Sequence, residues 1–411
     1  MNYLKRKKNE AESLNGYYVI ENVLCGIIVL TIIFNMSALT SAALTLSFVV
    51  VLIHFGKLLV RGLTKTMIFV IFIIILSLFA VCIASVTYNV QISFEYMKEY
   101  ILFATAIVFM CIAAEDTINR RTTSFILKFQ LIVACIYPIA YFILPDLTSN
   151  IGLHFNFTNT NLTGMWLLQS VLFSFVGFMS LKGAWRILSL TTAAFNILFI
   201  ILTNARNTYL AFALFLGLFL WNLLKQKPRY SKVFVIFLLL LPLIFIPLYF
   251  WLVDPVTENG WLDFLVSEGK QLDSRLTIWN RAIRYLNVGS GWLFGNYPYL
   301  QGNLHNAYMV LLGSYGTLTL ISVLGYMILI VCQVNEKTHS SFGRYCLAGF
   351  LAGMLLGIGE GAFFSGGVGL SLVITFFLFM ARGDLDTKQL NLPMSKEKKK
   401  KGKYAGSKYI R

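Results

Sequence analysis

The sequence is short of charge. Only 13% of its residues are Asp, Glu, Lys or Arg, against 57% hydrophobic. A chain so poor in charge cannot cover soluble domains, so that class is excluded and a polytopic membrane protein remains. Histidine is scarce, with four residues, and cysteine hardly less so, with six. Cys25, Cys82, Cys111, Cys135, Cys332 and Cys346 fall inside or at the edge of apolar runs, with no CxxC pair and no histidine cluster at ligand spacing. That leaves neither a disulfide framework nor a zinc site, and no cofactor is expected. Acidic residues are also few, 18 against 34 basic. The basic residues lie in short runs between apolar segments, a distribution that orients a membrane protein and does not suit nucleic acid.

What the chain has in quantity is apolar runs. A hydrocarbon core of ~30 Å takes about 20 apolar residues in a helix. That length predicts twelve spans, at 17–35, 38–56, 66–86, 97–114, 125–144, 161–181, 187–203, 208–224, 233–252, 306–332, 345–362 and 366–382. The expected fold is an all-α polytopic membrane protein of about twelve transmembrane helices. A basic cytoplasmic N-terminus (1–16) precedes nine spans (17–252), an extracytoplasmic loop (253–305), three more spans (306–382) and a basic cytoplasmic tail (383–411). Lys5, Arg6, Lys7 and Lys8 before the first apolar run imitate a signal peptide, but the run is long enough to span and lacks a small-residue cleavage site. With the N-terminus inside, all but six of the 34 basic residues face the cytoplasm, as do both termini. Lys98, Arg206, Lys270, Arg275, Arg281 and Arg284 are left outside, against the topological preference.

The first four spans have little polar content at mid-depth and read as scaffold. The loop HFNFTNTNLTG carries His154, Asn156, Asn159 and Asn161, which either line an outward cavity or cap the sixth span. Arg206 falls in a tight outer turn within LTNARNTYLAF, where an arginine needs a reason such as anion binding. Gly349, Gly353 and Gly357 repeat at four-residue spacing, a signal for close helix packing. Glu360 is the one carboxylate in that neighbourhood, readable as an ion partner for an outer arginine, an interfacial group or a base.

The only long polar interruption is the outer loop, and within it the stretch from Asp273 to Tyr308 concentrates the chemistry. From Ser274 to Leu286 the periodicity is helical, with Asp273 or Ser274 suited to the N-cap. Leu276, Ile278, Trp279, Ala282, Ile283, Tyr285 and Leu286 form an apolar half; Thr277, Asn280, Arg281 and Arg284 form a polar one. Arg275 lies on the row of Trp279, Ala282 and Leu286, so its guanidinium faces the interior and needs a partner. Arg281 and Arg284 suit solvent or headgroups. Gly289, Gly291 and Gly295 then turn the chain, and NLHNAY delivers His305 and Asn306 to the start of the tenth span. A helix N-terminus with arginines on the same face suits a phosphate group. Two arginines would stabilise a diphosphate leaving group without a metal, and histidine can accept a hydroxyl proton at neutral pH. A lipid-linked diphosphate sugar fits that chemistry.

The pattern SRLTIWNRA, then LFGN, then HNAYMVLLGSYGTLTL resembles the signature region of the O-antigen polymerase and O-antigen ligase superfamily of bacterial envelope glycan enzymes. TNTNLTG resembles its Asn-rich loop, and TNARNTYLAF its segment with another arginine, so the resemblance covers about residues 150–335. Thr160 stands where the family often has Pro between asparagines, and Ala205 where Ser commonly precedes the arginine. The resemblance implies a metal-independent glycosyltransferase of the membrane-embedded, GT-C-like class, in the bacterial cytoplasmic membrane with its site outside. Its donor would be an undecaprenyl-diphosphate-linked oligosaccharide, and a chain-length regulator and a flippase of the same pathway would be its partners. Arg206 and Arg275 would bind diphosphate and His305 would activate the acceptor hydroxyl or orient the site. Arg281, Arg284 and Asn161 would contact substrate, and so would Asn306 and Tyr308 unless they cap and pack the tenth span.

The expected activity is polymerisation of repeat units into capsular polysaccharide or O-antigen. A ligase that passes finished glycan to a terminal acceptor is the nearest alternative, and a transporter or flippase of lipid-linked glycan is one of another class. A transporter should show broken helices and mid-membrane ionisable groups in related halves. Polar chemistry at one face and no evident repeat favour the enzyme.

Overall fold

A computed structural model describes residues 15–89, 91–144, 147–149, 152–157, 160–224, 229–259, 273–296, 304–359 and 368–385; for 88, 94–96, 252–259, 273–276 and 368–369 it describes backbone alone. Five helices come first: α1 Gly16–Ile33, α2 Ser37–Arg61, α3 Lys65–Tyr88, α4 Phe94–Glu115 and α5 Arg120–Ile143. A minimal antiparallel pair, β1 Thr148–Ser149 with β2 Gly152–Leu153, shapes the next loop. Then follow α6 Thr160–Ser180, α7 Ala184–Thr203, α8 Arg206–Leu224 and α9 Lys232–Asn259. α10 Asp273–Leu286 and the single turn α11 Gly291–Phe294 precede α12 Ala307–Lys337 and α13 Ser341–Leu355. A 3-10 turn, Leu356–Ile358, extends α13, and α14 is Val368–Gly383.

The architecture is that of an all-α polytopic membrane protein, with eleven described helices long and apolar enough to cross a bilayer. Every predicted span falls on a helix. The twelfth differs in length: the described apolar part of α14, Leu370–Gly383, is short for a crossing. α9 continues to Asn259, past the predicted loop boundary at 253. Helix starts carry the expected caps, with Thr64, Asn119 and Ser340 accepting from the backbone N–H of Met67, Thr122 and Gly343.

Peripheral helices show an apolar face outward. On α3, Ile68, Phe72, Ile75 and Phe79 recur at four- and three-residue steps, and each is more than half exposed. Such a stripe suits acyl chains. By contrast, 94% of the apolar window of α13 is buried, which makes it the central helix. Its glycine row explains how: added Cβ atoms would sit 3.0 Å from the Phe377 ring at Gly349, from Ile374 at Gly353, and from the Ala307 Cβ at Gly357. The packing expectation for these glycines therefore holds.

The first four spans are more polar inside than their composition suggested. Glu21, Asn22, Ser47 and His54 are buried, Ser47 donates to the Glu21 carboxylate, and Gln130 of α5 donates to the Asn22 side-chain oxygen at 2.7 Å. Toward the end bearing the Lys and Arg runs, Asp116, just after α4, ties α1 to α2. It accepts from the Tyr18 hydroxyl at 3.0 Å, pairs with His54 at 3.0 Å, and has Arg61 at 3.9 Å. Arg344, 1% exposed, donates to the Asn335 side-chain oxygen at 2.6 Å and to the Thr338 carbonyl at the same end.

One loop enters the bundle. Gly316 interrupts α12 with φ 76 and ψ 179, and a Cβ there would overlap the Leu293 carbonyl. Gly295, with φ 77, abuts the Ser314 backbone. Asn296 N–H donates to the Gly313 carbonyl at 2.8 Å and the Thr317 hydroxyl to the Trp292 carbonyl at 2.7 Å. Gly316 lies nine residues into α12, roughly 14 Å at about 1.5 Å per residue, so α11 crosses it well inside the helix. Backbone at that depth is tolerated only where other protein groups satisfy it.

Candidate functional site

At the end of the bundle opposite the Asp116 network, the N-termini of α8 and α12 meet at the 3-10 turn, and the start of α6 packs on the turn that leads into α8. Gly164, in the first turns of α6, lies against the α7–α8 turn, where a Cβ would strike Ala205 and the Thr208 hydroxyl. That turn is Asn204, left-handed at φ 54, and the fully buried Ala205. The residue after Arg206 then anchors α8: the Asn207 amide donates to the Leu356 carbonyl at 2.7 Å. Asn306 reaches the same turn from the other side, donating to the Ile358 carbonyl at 3.1 Å and to Pro242 of α9 at 2.9 Å. Its side-chain oxygen caps α12 by accepting from Tyr308 and Met309 N–H at 2.9 and 3.0 Å. The starts of α8 and α12 thus meet at one turn, and the positive ends of their dipoles favour an anion there.

Arg206 is the first residue of α8 and is exposed. His305 is half-buried and left-handed at φ 49, immediately before the cap. Such a conformation is uncommon outside glycine and clusters at functional positions. Asn161, in the first turn of α6, is half-buried. These three share the same end of the bundle, although their elements are far apart in sequence.

α10 docks on this group with Trp279 at the centre of its buried face. Trp279, 0% exposed, packs edge-on against Tyr249 at 5.2 Å between ring centres, and its indole N–H donates to the Leu304 carbonyl at 2.6 Å. Ala282 and Leu286 on its row are equally buried, whereas Thr277, Asn280, Arg281 and Arg284 are exposed. The two halves predicted for this helix are those observed. Arg275 stands on the α10 backbone one turn before Trp279; its side chain lies outside the described residues, as do Lys270 and Glu360.

Asn306 and Tyr308 are engaged by the protein itself. Asn306 is fully buried with both side-chain ends bonded, and the Tyr308 hydroxyl, on a residue 1% exposed, donates to the Leu239 carbonyl at 2.6 Å. Of the two readings open for them, capping and packing match this geometry. Asn207 was not singled out in the sequence, since nothing local marks a donor to a carbonyl 149 residues away. Among the described residues, no three His, Cys, Asp or Glu side chains group as metal ligands.

Comparison of the chain with protein-family models, curated proteins and solved structures returned no match.

Proposed function

We propose that this protein is a membrane-embedded glycosyltransferase that joins undecaprenyl-diphosphate-linked oligosaccharide units into a polysaccharide at the outer face of a bacterial cytoplasmic membrane. The observation that carries the reading is the shared anchorage of Asn207 and Asn306 on the turn Leu356–Ile358. It supports the reading by linking the arginine turn to the histidine-bearing helix start. In this reading both termini are cytoplasmic, and Arg206 and Arg275 hold the diphosphate bidentately. Arg281 and Arg284 meet headgroups or the glycan at the exposed face of α10. The acceptor hydroxyl attacks the anomeric carbon with inversion. The bond from that carbon to the diphosphate oxygen breaks, and its electron pair leaves with the lipid diphosphate. The hydroxyl proton passes to the His305 imidazole. Two guanidinium charges stabilise the leaving group, a role that otherwise falls to a divalent cation.

The test is purified protein in liposomes with a lipid-diphosphate oligosaccharide, scored for longer glycan and released carrier in the presence of chelator. Wild type should extend the substrate, whereas Arg206→Ala, Arg275→Ala and His305→Gln should fold, melt like wild type and lose at least a hundredfold in rate. Full activity in those variants, or inhibition by chelator, would sink the proposal. A ladder of products marks a polymerase and a single transfer to a distinct acceptor marks a ligase. Carrier that crosses the bilayer unchanged marks a flippase.

A further inference from the structure

A second feature opens at the same end of the bundle, away from the arginine turn. A cleft of about 330 Å³ lies between the α1–α2 connection, the first turns of α4 and the loop after β2. That size is at the small end of ligand pockets, which run about 300–1,000 Å³. Its lining is rich in hydroxyls and amides, from Asn35, Ser37, Thr40, Ser41 and Asn156, set against apolar carbon from Ile32, Leu44 and Leu102. Two charged residues, Lys98 and Glu99, complete it; Lys98 is half-buried, with no hydrogen-bond or ion-pair partner among the described residues.

This combination is selective. Hydroxyls that both donate and accept, amides that do either, and apolar walls match the alternating hydroxyl and C–H faces of a sugar ring. Free acyl chains would need no such polar lining. Lys98 is also one of the few basic residues at this end, and the arginine site gives it no role.

The cleft is tied to that site by one short segment. Gly152 of β2, at φ 131, lies so close to the Leu202 and Thr203 carbonyls before the Arg206 turn that a Cβ would come within 2.8 Å of both. Four residues on, Asn156 lines the cleft and donates to the Ile33 carbonyl at 2.8 Å. The segment 152–157 therefore runs from the α7–α8 turn to the cleft.

We propose that this cleft is a saccharide-binding subsite, which holds a sugar residue of the glycan undergoing transfer at a distance from the reacting bond. The inference rests on the glycosyltransferase reading and names an additional part of its substrate site. Lys98 donates to a ring substituent or an acidic group of the sugar, and the hydroxyls of α2 set which sugar is accepted.

The experiment uses the full-length protein, dye-labelled in detergent, on a printed array of bacterial oligosaccharides, with the best-retained array member then titrated by saturation-transfer NMR. Wild type should retain a subset of glycans. Ser41→Trp, which fills the cleft from an exposed helix position, and Lys98→Gln should each weaken that binding at least tenfold while melting within error of wild type. Arg206→Ala should bind the free glycan as wild type does. Retention of no glycan by wild type, or unchanged affinity in Lys98→Gln, overturns the subsite. Glycan extension that is normal in both cleft variants would overturn the subsite and leave the transferase reading intact. Glycan binding without extension would do the reverse.

Discussion

The indole nitrogen of Trp279 donates to the carbonyl of Leu304 over 2.6 Å, and Leu304 is the residue before His305. One side chain thereby fastens the helix that bears Arg275 to the start of α12. Trp279→Phe keeps most of the apolar contact with Tyr249 but leaves a buried carbonyl unpaired, at a cost of about 1–3 kcal/mol. The expected outcome is a modest fall in melting temperature and a larger fall in transfer rate, read by calorimetry and by carrier release. Equal small effects on both would show that α10 and His305 need no fixed relation.

Gly316 supplies the second prediction. Its φ 76 and ψ 179 lie in a region open essentially to glycine alone, and a Cβ would overlap the Leu293 carbonyl. Gly316→Ala should fail to give monodisperse protein in size-exclusion chromatography. Gly325→Ala, later in the same helix where a Cβ meets open space, should behave as wild type.

Asn306 should prove structural. Truncation removes a helix cap and leaves the Pro242 and Ile358 carbonyls without its amide, so Asn306→Ala should destabilise by about 3 kcal/mol or more, measured by thermal or denaturant melting. Asn207→Ala removes a single bond from a half-buried residue and should cost about 1 kcal/mol. Its effect should fall on affinity for the diphosphate lipid, because the displaced group is the α8 start that carries Arg206.

Asp116 predicts a pH response at the opposite end. Burial alone would raise its carboxyl, but bonds from His54, Thr117 N–H and Tyr18 hold it below the usual carboxylate value. An acid with a depressed folded value is stabilising above its unfolded value, about 3.9, and loses that contribution as pH falls through the folded value. Melting temperature should therefore decline below about pH 4, and Asp116→Asn should show a shallower decline there.

Much of the fold was legible because span length is a local signal. All twelve apolar runs became helices, and the two halves of α10 followed from a 3.6-residue period. The site was legible only in part. Arg206, His305 and Asn161 stood out as polar residues in apolar surroundings, and their elements converge. Asn306 and Tyr308 looked like the same kind of signal, yet their side chains are bonded to Pro242, Ile358 and Leu239. Sequence could not separate a polar residue that meets a ligand from one that meets a remote carbonyl, since both are buried polar groups needing partners.

The sequence by itself determined an all-α chain of membrane-crossing helices, because a continuous run of about 20 apolar residues can satisfy its backbone in a bilayer only by coiling. It also determined where polar chemistry lies along the chain. Tertiary structure alone decided which helix starts share one turn, that Glu21 and His54 are buried between early helices, and that Gly295 and Gly316 let α11 cross α12. Those facts rest on contacts between segments up to 149 residues apart, as between Asn207 and Leu356. Packing sets such contacts, and no local periodicity encodes them.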